Sequence, residues 1–147
     1  MESEQNEASI VRMEGPDTFI RNLKDHTEEN YSFDYSYWSQ DGFMEDKKHC
    51  LKAQPGSNYI DQNHIFSDLG IGALNDLFNG YNASIIAIGK IGTGKTYTMT
   101  GSGENKGIIP LACQELFKRI DMIKADTTRE INFEVSLQMF EIYNEKI

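Results

Sequence analysis

From Ala83 to Met99 the chain reads Ala-Ser-Ile-Ile-Ala-Ile-Gly-Lys-Ile-Gly-Thr-Gly-Lys-Thr-Tyr-Thr-Met, and no other stretch constrains the fold as tightly. Gly89 and Gly94 flank four residues, and Lys95 and Thr96 follow at once. This G-x4-G-K-T spacing is that of a phosphate-binding loop. Glycines let the backbone curl so that several N–H groups face one anion, a geometry that Cβ atoms obstruct. The loop must open onto a helix N-terminus, whose free N–H groups favour negative charge. Lys95 then reaches the β- and γ-phosphates of a nucleotide, and the Thr96 hydroxyl ligates Mg²⁺. Ser84 to Ile88, an apolar run ending in a glycine, predicts a buried parallel strand ahead of the loop. A short helix is expected after Lys95, up to Gly101-Ser102-Gly103. The plain alternative is a glycine-rich surface turn with an incidental lysine.

Composition narrows the function classes. With 39% hydrophobic residues, the 147-residue chain has material for a core. No run is long and apolar enough for a membrane span, and the acidic start is not a signal peptide. The net charge of −9 is spread over both halves, with −6 in residues 1–60 and −3 in 61–147. Neither half offers a basic stripe, so a nucleic-acid partner is not expected. Cys50 and Cys113 lack a C-x-x-C arrangement and read as reduced thiols. His26, His49 and His64 show no ligand spacing, so a zinc site is not expected.

Residues 1–9 read as a disordered leader. Ile10–Met13 and Thr18–Arg21 predict a hairpin across Glu14-Gly15-Pro16-Asp17. Tyr31, Phe33, Tyr35 and Tyr37 alternate with polar residues, predicting a strand with an aromatic face in the core. Residues 38–59 read as a long surface loop. Asp61 to Phe78 has helical period, with Ile65, Leu69, Ala73 and Leu77 in one row and Phe66, Leu74 and Phe78 beside it. Asp61 suits the N-cap and Gly80 the terminator. Pro110 is expected to open another helix reaching about Lys124. Ile131, Phe133, Val135, Leu137 and Met139 alternate as a long strand, and residues 143–147 trail off.

Taken with their flanks, these blocks resemble a kinesin motor domain. The resemblance rests on Phe33-Asp34-Tyr35, Gly80-Tyr81-Asn82-Ala83 before the loop, and Gly-Thr-Gly-Lys-Thr-Tyr-Thr-Met at 92–99. Gly107-Ile108-Ile109-Pro110, Glu134-Val135-Ser136 and Glu141-Ile142-Tyr143-Asn144-Glu145 complete it. The stretch from Ser32 to Trp38 is most similar to the kinesin-three cargo transporters. The resemblance covers about residues 10–147, less than half of a motor core. It implies a P-loop NTPase-type three-layer α/β sandwich, here an incomplete motor sheet with helices on both faces. It also implies ATP or ADP with Mg²⁺ as cofactors, a cytoplasmic location on the cytoskeleton, and a microtubule as partner of the full-length family. Gly89, Lys90, Ile91, Gly92, Thr93, Gly94, Lys95 and Thr96 would wrap the phosphates, with Thr96 on the metal. Tyr97 falls where the family places a side chain against adenine.

The departures are specific. The family pattern opens the loop with Gly-Gln-Thr-Gly after a tyrosine, whereas this chain has Ile88 and then Gly89-Lys90-Ile91-Gly92. No Arg-x-Arg-Pro precedes Ile10, and neither Asn-x-x-Ser-Ser-Arg-Ser-His nor Asp-Leu-Ala-Gly occurs. Without those switch motifs the 147 residues read as a motor domain truncated ahead of them, inactive alone, with no catalytic residue and no microtubule binding of its own. A non-catalytic nucleotide-binding or interaction fragment, and a different P-loop NTPase, stay open as alternatives.

Overall fold

The computed structural model describes residues 9–126, 128 and 131–146. The expected leader at residues 1–9 falls, except for Ser9, outside them. The chain divides into two units, one running to Ala112 and the other starting at Cys113.

In the first unit, β1 (Val11–Glu14), β2 (Asp17–Arg21) and β3 (Glu28–Ser32) form an antiparallel meander. Glu14 stands opposite Asp17, so Gly15 (φ +58°) and Pro16 make the two-residue turn expected from their types. Arg12 lies 4.0 Å over the ring of its cross-strand partner Phe19, donates to Glu28 at 3.0 Å and also pairs with Glu14. The aromatic alternation of residues 31–37 does not form the expected core strand. Ser32 pairs with Asp17, the first residue of β2, so no β2 backbone remains beyond it. Phe33 N–H still reaches Pro16 O at 3.1 Å, and from there the segment runs unpaired. Phe33 and Tyr35 are exposed, and Tyr35 stacks on Tyr37 with centroids 5.7 Å apart.

The expected loop at 38–59 contains a second hairpin, β4 (Phe43–Glu45) and β5 (Leu51–Ala53). Its turn is built by the Asp46 carboxylate, which accepts from Lys48 N–H at 2.8 Å and Cys50 N–H at 3.0 Å. Those backbone bonds, Cys50 first, hold Asp46 below the usual carboxylate range. A third hairpin, β6 (Gly101–Ser102) and β7 (Asn105–Lys106), is clipped to it chiefly by one side chain, with Cys50 Sγ also donating to Glu104 O at 3.7 Å. Asn105 accepts from Leu51 N–H at 2.7 Å and donates to His49 O at 2.9 Å, as a strand backbone would.

The segment 61–78 is helical as expected. The Asp61 carboxylate accepts from His64 N–H at 2.9 Å, and Gly80 at φ +86° ends it. It is not one continuous α-helix. α1 (Gln62–Ile65) passes through a π-helical turn (Phe66–Gly70) into α2 (Ile71–Phe78). The buried row is Gln62, Phe66, Gly70 and Leu74, while Leu69 and Leu77 of the expected row are exposed. A repeat of four drifts around a helix of 3.6 residues per turn, and one wider turn keeps it on one face. Gly70 is required there, because a Cβ would lie 2.2 Å from the Phe66 ring.

Two expected strands are unpaired among the described residues. Residues 84–88 join no ladder, and Ile86 and Ile88 are 77% and 88% exposed. A parallel strand needs a neighbour delivered by a crossover connection, whereas the named strands of this unit pair in local antiparallel ladders and its one described parallel pairing is the isolated bridge Trp38–Tyr59. In the second unit residues 131–142 likewise join no ladder, with Leu137 and Met139 exposed, and Tyr143 to Lys146 close a small turn. α3 (Lys95–Met99) follows the glycine loop, and α4 (Ile108–Lys124) ends where the sequence places it. Pro110 is the third residue of α4 rather than the first. Both cysteines are free.

Candidate functional site

The glycine loop folds as its composition requires. Gly89, Gly92 and Gly94 have φ of +151°, +88° and +87°, all disfavoured for residues with a Cβ. At Gly89 space is also short, since a Cβ would meet Thr93 Oγ1 at 2.6 Å. Thr93 closes the loop on itself, its Oγ1 donating to Lys90 O at 2.8 Å and its N–H reaching the same oxygen at 3.3 Å. Left-handed Gly94 turns the chain into α3, so Lys95, Thr96 and Tyr97 present first-turn N–H groups that have no intrahelical partner.

Lys95 is half-buried, and its ammonium donates to Gly89 O and Lys90 O, both at 2.7 Å. No carboxylate pairs with it among the described residues. The ammonium is thus held over the loop by neutral carbonyls, which leave its charge available to an anion. Thr96 is exposed at the same helix end. Lys90 and Ile91 point outward, with Ile91 95% exposed, and no ion pair engages Lys90 among the described residues.

Tyr97 is half-buried, and its hydroxyl is fully covered close to Tyr59 and Asp61. Its backbone carbonyl is taken by Gln62, whose Nε2 donates at 2.5 Å. Gln62, which anchors the loop helix from α1, was not singled out from the sequence. A polar residue just after an N-cap reads as solvent-facing, and the signal that finds it is the four-residue row Gln62, Phe66, Gly70, Leu74. Tyr59 is buried, its ring 5.3 Å from Phe43, and burial pushes its phenol up to about 12. An elevated folded-state value means that the folded chain keeps a proton which the unfolded chain loses from about pH 10. Stability should therefore hold below pH 10 and decline as pH rises toward 12. Denaturant melts between pH 8 and 12, compared with Tyr59→Phe, read this directly. An equal alkaline decline in both would remove Tyr59 as its cause.

Left-handed glycines, a lysine over their carbonyls and a helix opening beyond it are the arrangement that the G-x4-G-K-T spacing calls for. The kinesin motor domain model matches residues 1–147, and the chain belongs to that family. It is 40% identical to kinesin-like protein KIF28 of Rattus norvegicus over 98% of this chain and 14% of that relative. It is 38% identical to KIF1A of Rattus norvegicus, over 99% of this chain and 8% of KIF1A. KIF14 with ADP in complex with a microtubule is a structural neighbour at TM-score 0.65 and 30% identity, over 78% of this chain and 28% of that one. The fold is accordingly that of an α/β kinesin motor domain, incomplete within these residues, and nothing favours a different P-loop NTPase. The chain spans a small part of the length of the relatives it matches. No helix among the described residues is long and apolar enough to cross a membrane.

Proposed function

We propose that this chain supplies the ATP-binding part of a kinesin-like microtubule motor. The observation that carries the reading is the Lys95 ammonium, resting on the Gly89 and Lys90 carbonyls with no carboxylate partner among the described residues. The N–H groups from Gly92 to Thr96 would receive the phosphates, and Lys95 would exchange its two carbonyls for β- and γ-oxygens. Thr96 would hold Mg²⁺, which supplies charge neutralisation at the phosphates when bound. The exposed hydroxyl at the start of α3 fits that role. Tyr97 would offer a ring face to adenine, because its hydroxyl end is buried inward. Calorimetric titration of the chain with Mg²⁺-ATP tests this, and absence of binding would refute it.

The proposed filament partner of the whole motor is a microtubule, which would place the motor on the cytoskeleton. Within these residues charge argues against contact. Lys47 and Lys48 sit beside Glu45 and Asp46, and Lys118 and Arg119 donate to Glu115 at 3.3 and 2.9 Å. At physiological salt the Debye length is about 8 Å, so repulsion from an acidic filament is screened but no attraction is created. The 147-residue chain is expected in the supernatant when microtubules are pelleted, with or without a non-hydrolysable ATP analogue. Nucleotide-dependent co-pelleting that weakens with salt would contradict this.

A further inference from the structure

Gln62 is the one buried polar side chain among the described residues, at 6% exposure, in a row otherwise filled by Phe66, Gly70 and Leu74. A buried amide is retained at little cost only when its donors are used. Here the donor goes to Tyr97 O, 35 residues away and in the middle of α3. That carbonyl is open because α3 ends at Met99 and Gly101, at φ +87°, turns the chain away. A five-residue helix does not hold its own geometry in water, so its placement must come from outside contacts. From outside, its backbone receives Gln62 Nε2 at its centre and, just past its C-terminus, Gly107 N–H reaches Thr100 O at 3.1 Å, while the Tyr97 side chain is covered beside Tyr59.

We propose that Gln62 is a positioning residue of the phosphate site: through the Tyr97 carbonyl it fixes the helix whose first turn carries Lys95 and Thr96. The clamp stands on geometry alone, and its effect on ligand rests on the nucleotide reading above. The helix cap at Asp61 places Gln62 at the start of α1, and the wider turn at Phe66–Gly70 keeps the buried row beneath it. Strain or relaxation in the 61–78 helix would thereby reach the phosphate loop through one hydrogen bond.

Gln62→Met keeps length and fills the buried site but removes the donor. It is expected to weaken binding of a fluorescent Mg²⁺-ADP analogue roughly tenfold, the value of one buried hydrogen bond. Exchange at the Thr98 and Thr100 amides, which bond Gly94 O and Thr96 O at 2.8 Å, should accelerate even without nucleotide. Gln62→Glu supplies a signature that a packing role cannot. Its carboxyl donates to the Tyr97 carbonyl when protonated and repels it when ionised, so affinity relative to wild type should recover at low pH and fall as pH rises. Unchanged affinity in Gln62→Met overturns the proposal, as does a pH-independent ratio for Gln62→Glu. If wild type itself binds no nucleotide, the P-loop reading fails separately and amide exchange decides the clamp: faster exchange in Gln62→Met upholds it, unchanged exchange overturns it.

Discussion

Lys95→Ala is expected to weaken Mg²⁺-ATP binding about a hundredfold, the loss that follows when one or two charge-assisted hydrogen bonds to phosphate disappear. The same change should loosen the free loop, because the Lys95 ammonium ties Gly89 O to Lys90 O in the unliganded chain. Measured affinity is therefore a difference: the ammonium releases two carbonyl oxygens before it can bond to phosphate oxygens. Lys90→Ala makes the informative comparison. Lys90 adds a cation to the loop but reaches the interior only through its backbone carbonyl, which accepts from Lys95 and Thr93. Its removal should shift affinity by no more than about threefold and mainly at low salt, as expected for an exposed charge. Calorimetry that found Lys95→Ala binding as wild type would dismiss Lys95 as the phosphate ligand. Equal losses in the two variants would mean that general positive charge, rather than the cradle, captures the ligand.

Gly101→Ala should be among the most damaging single-atom changes in the first unit. Gly101 sits at φ +87°, and a Cβ there would lie 2.1 Å from Asn105 O and 2.5 Å from Gly107 N. Backbone atoms cannot rotate aside as a side chain can. The hairpin β6–β7 would have to open, at a cost of roughly 2–4 kcal/mol when strain and overpacking combine. Gly103→Ala isolates the strain. Gly103 is also left-handed, at φ +56°, but nothing stands within 4 Å of its Cβ position. It should lose about 1 kcal/mol, the ordinary penalty of the left-handed region. Thermal melts of the two variants side by side give the test, and equal shifts would show that the close approach at Gly101 is relieved without opening the hairpin.

What the sequence disclosed was what neighbours along the chain decide. Gly15-Pro16 between two short apolar runs, Asp61 before a helical period and the glycine spacing ahead of Lys95 each act within a few residues, and each formed as read. Strand pairing is not local. The Ser84–Ile88 run and the alternation from Ile131 carry the right side-chain patterns, but a pattern records which face is apolar and not whether a partner is beside it. The aromatic run at 31–37 failed for a related reason, since its pairing stopped where β2 began at Asp17. The hairpin inside 38–59 was hidden because its turn is made by the Asp46 carboxylate rather than by a glycine or proline pair. In the 61–78 helix the eye follows Ile65, Leu69, Ala73 and Leu77, whereas burial follows a row that opens with a glutamine and contains a glycine. Hydrophobicity alone cannot select that row. The form of the glycine loop was legible in outline, and its anchorage to Gln62 was not.

The Asn105 side chain has one more consequence, which concerns the chain as a polymer. Its two bonds, to Leu51 N–H and His49 O, join residues 54 and 56 positions apart. Everything from β5 to β7, including the 61–78 helix, the glycine loop and α3, is therefore contained in a ring whose seam is fastened by the Asn105 amide, with Cys50 Sγ donating to Glu104 O at 3.7 Å beside it. The entropy of closing such a ring grows only with the logarithm of its contour, so doubling it would cost about 0.6 kcal/mol. Insertions or deletions along the mostly exposed residues 79–88 should leave the closure almost unaffected. The fastening itself has no such tolerance, because an aspartate at position 105 could accept from Leu51 but not donate to His49. Length is thus a free variable inside the ring, and the identity of one side chain at its seam is not.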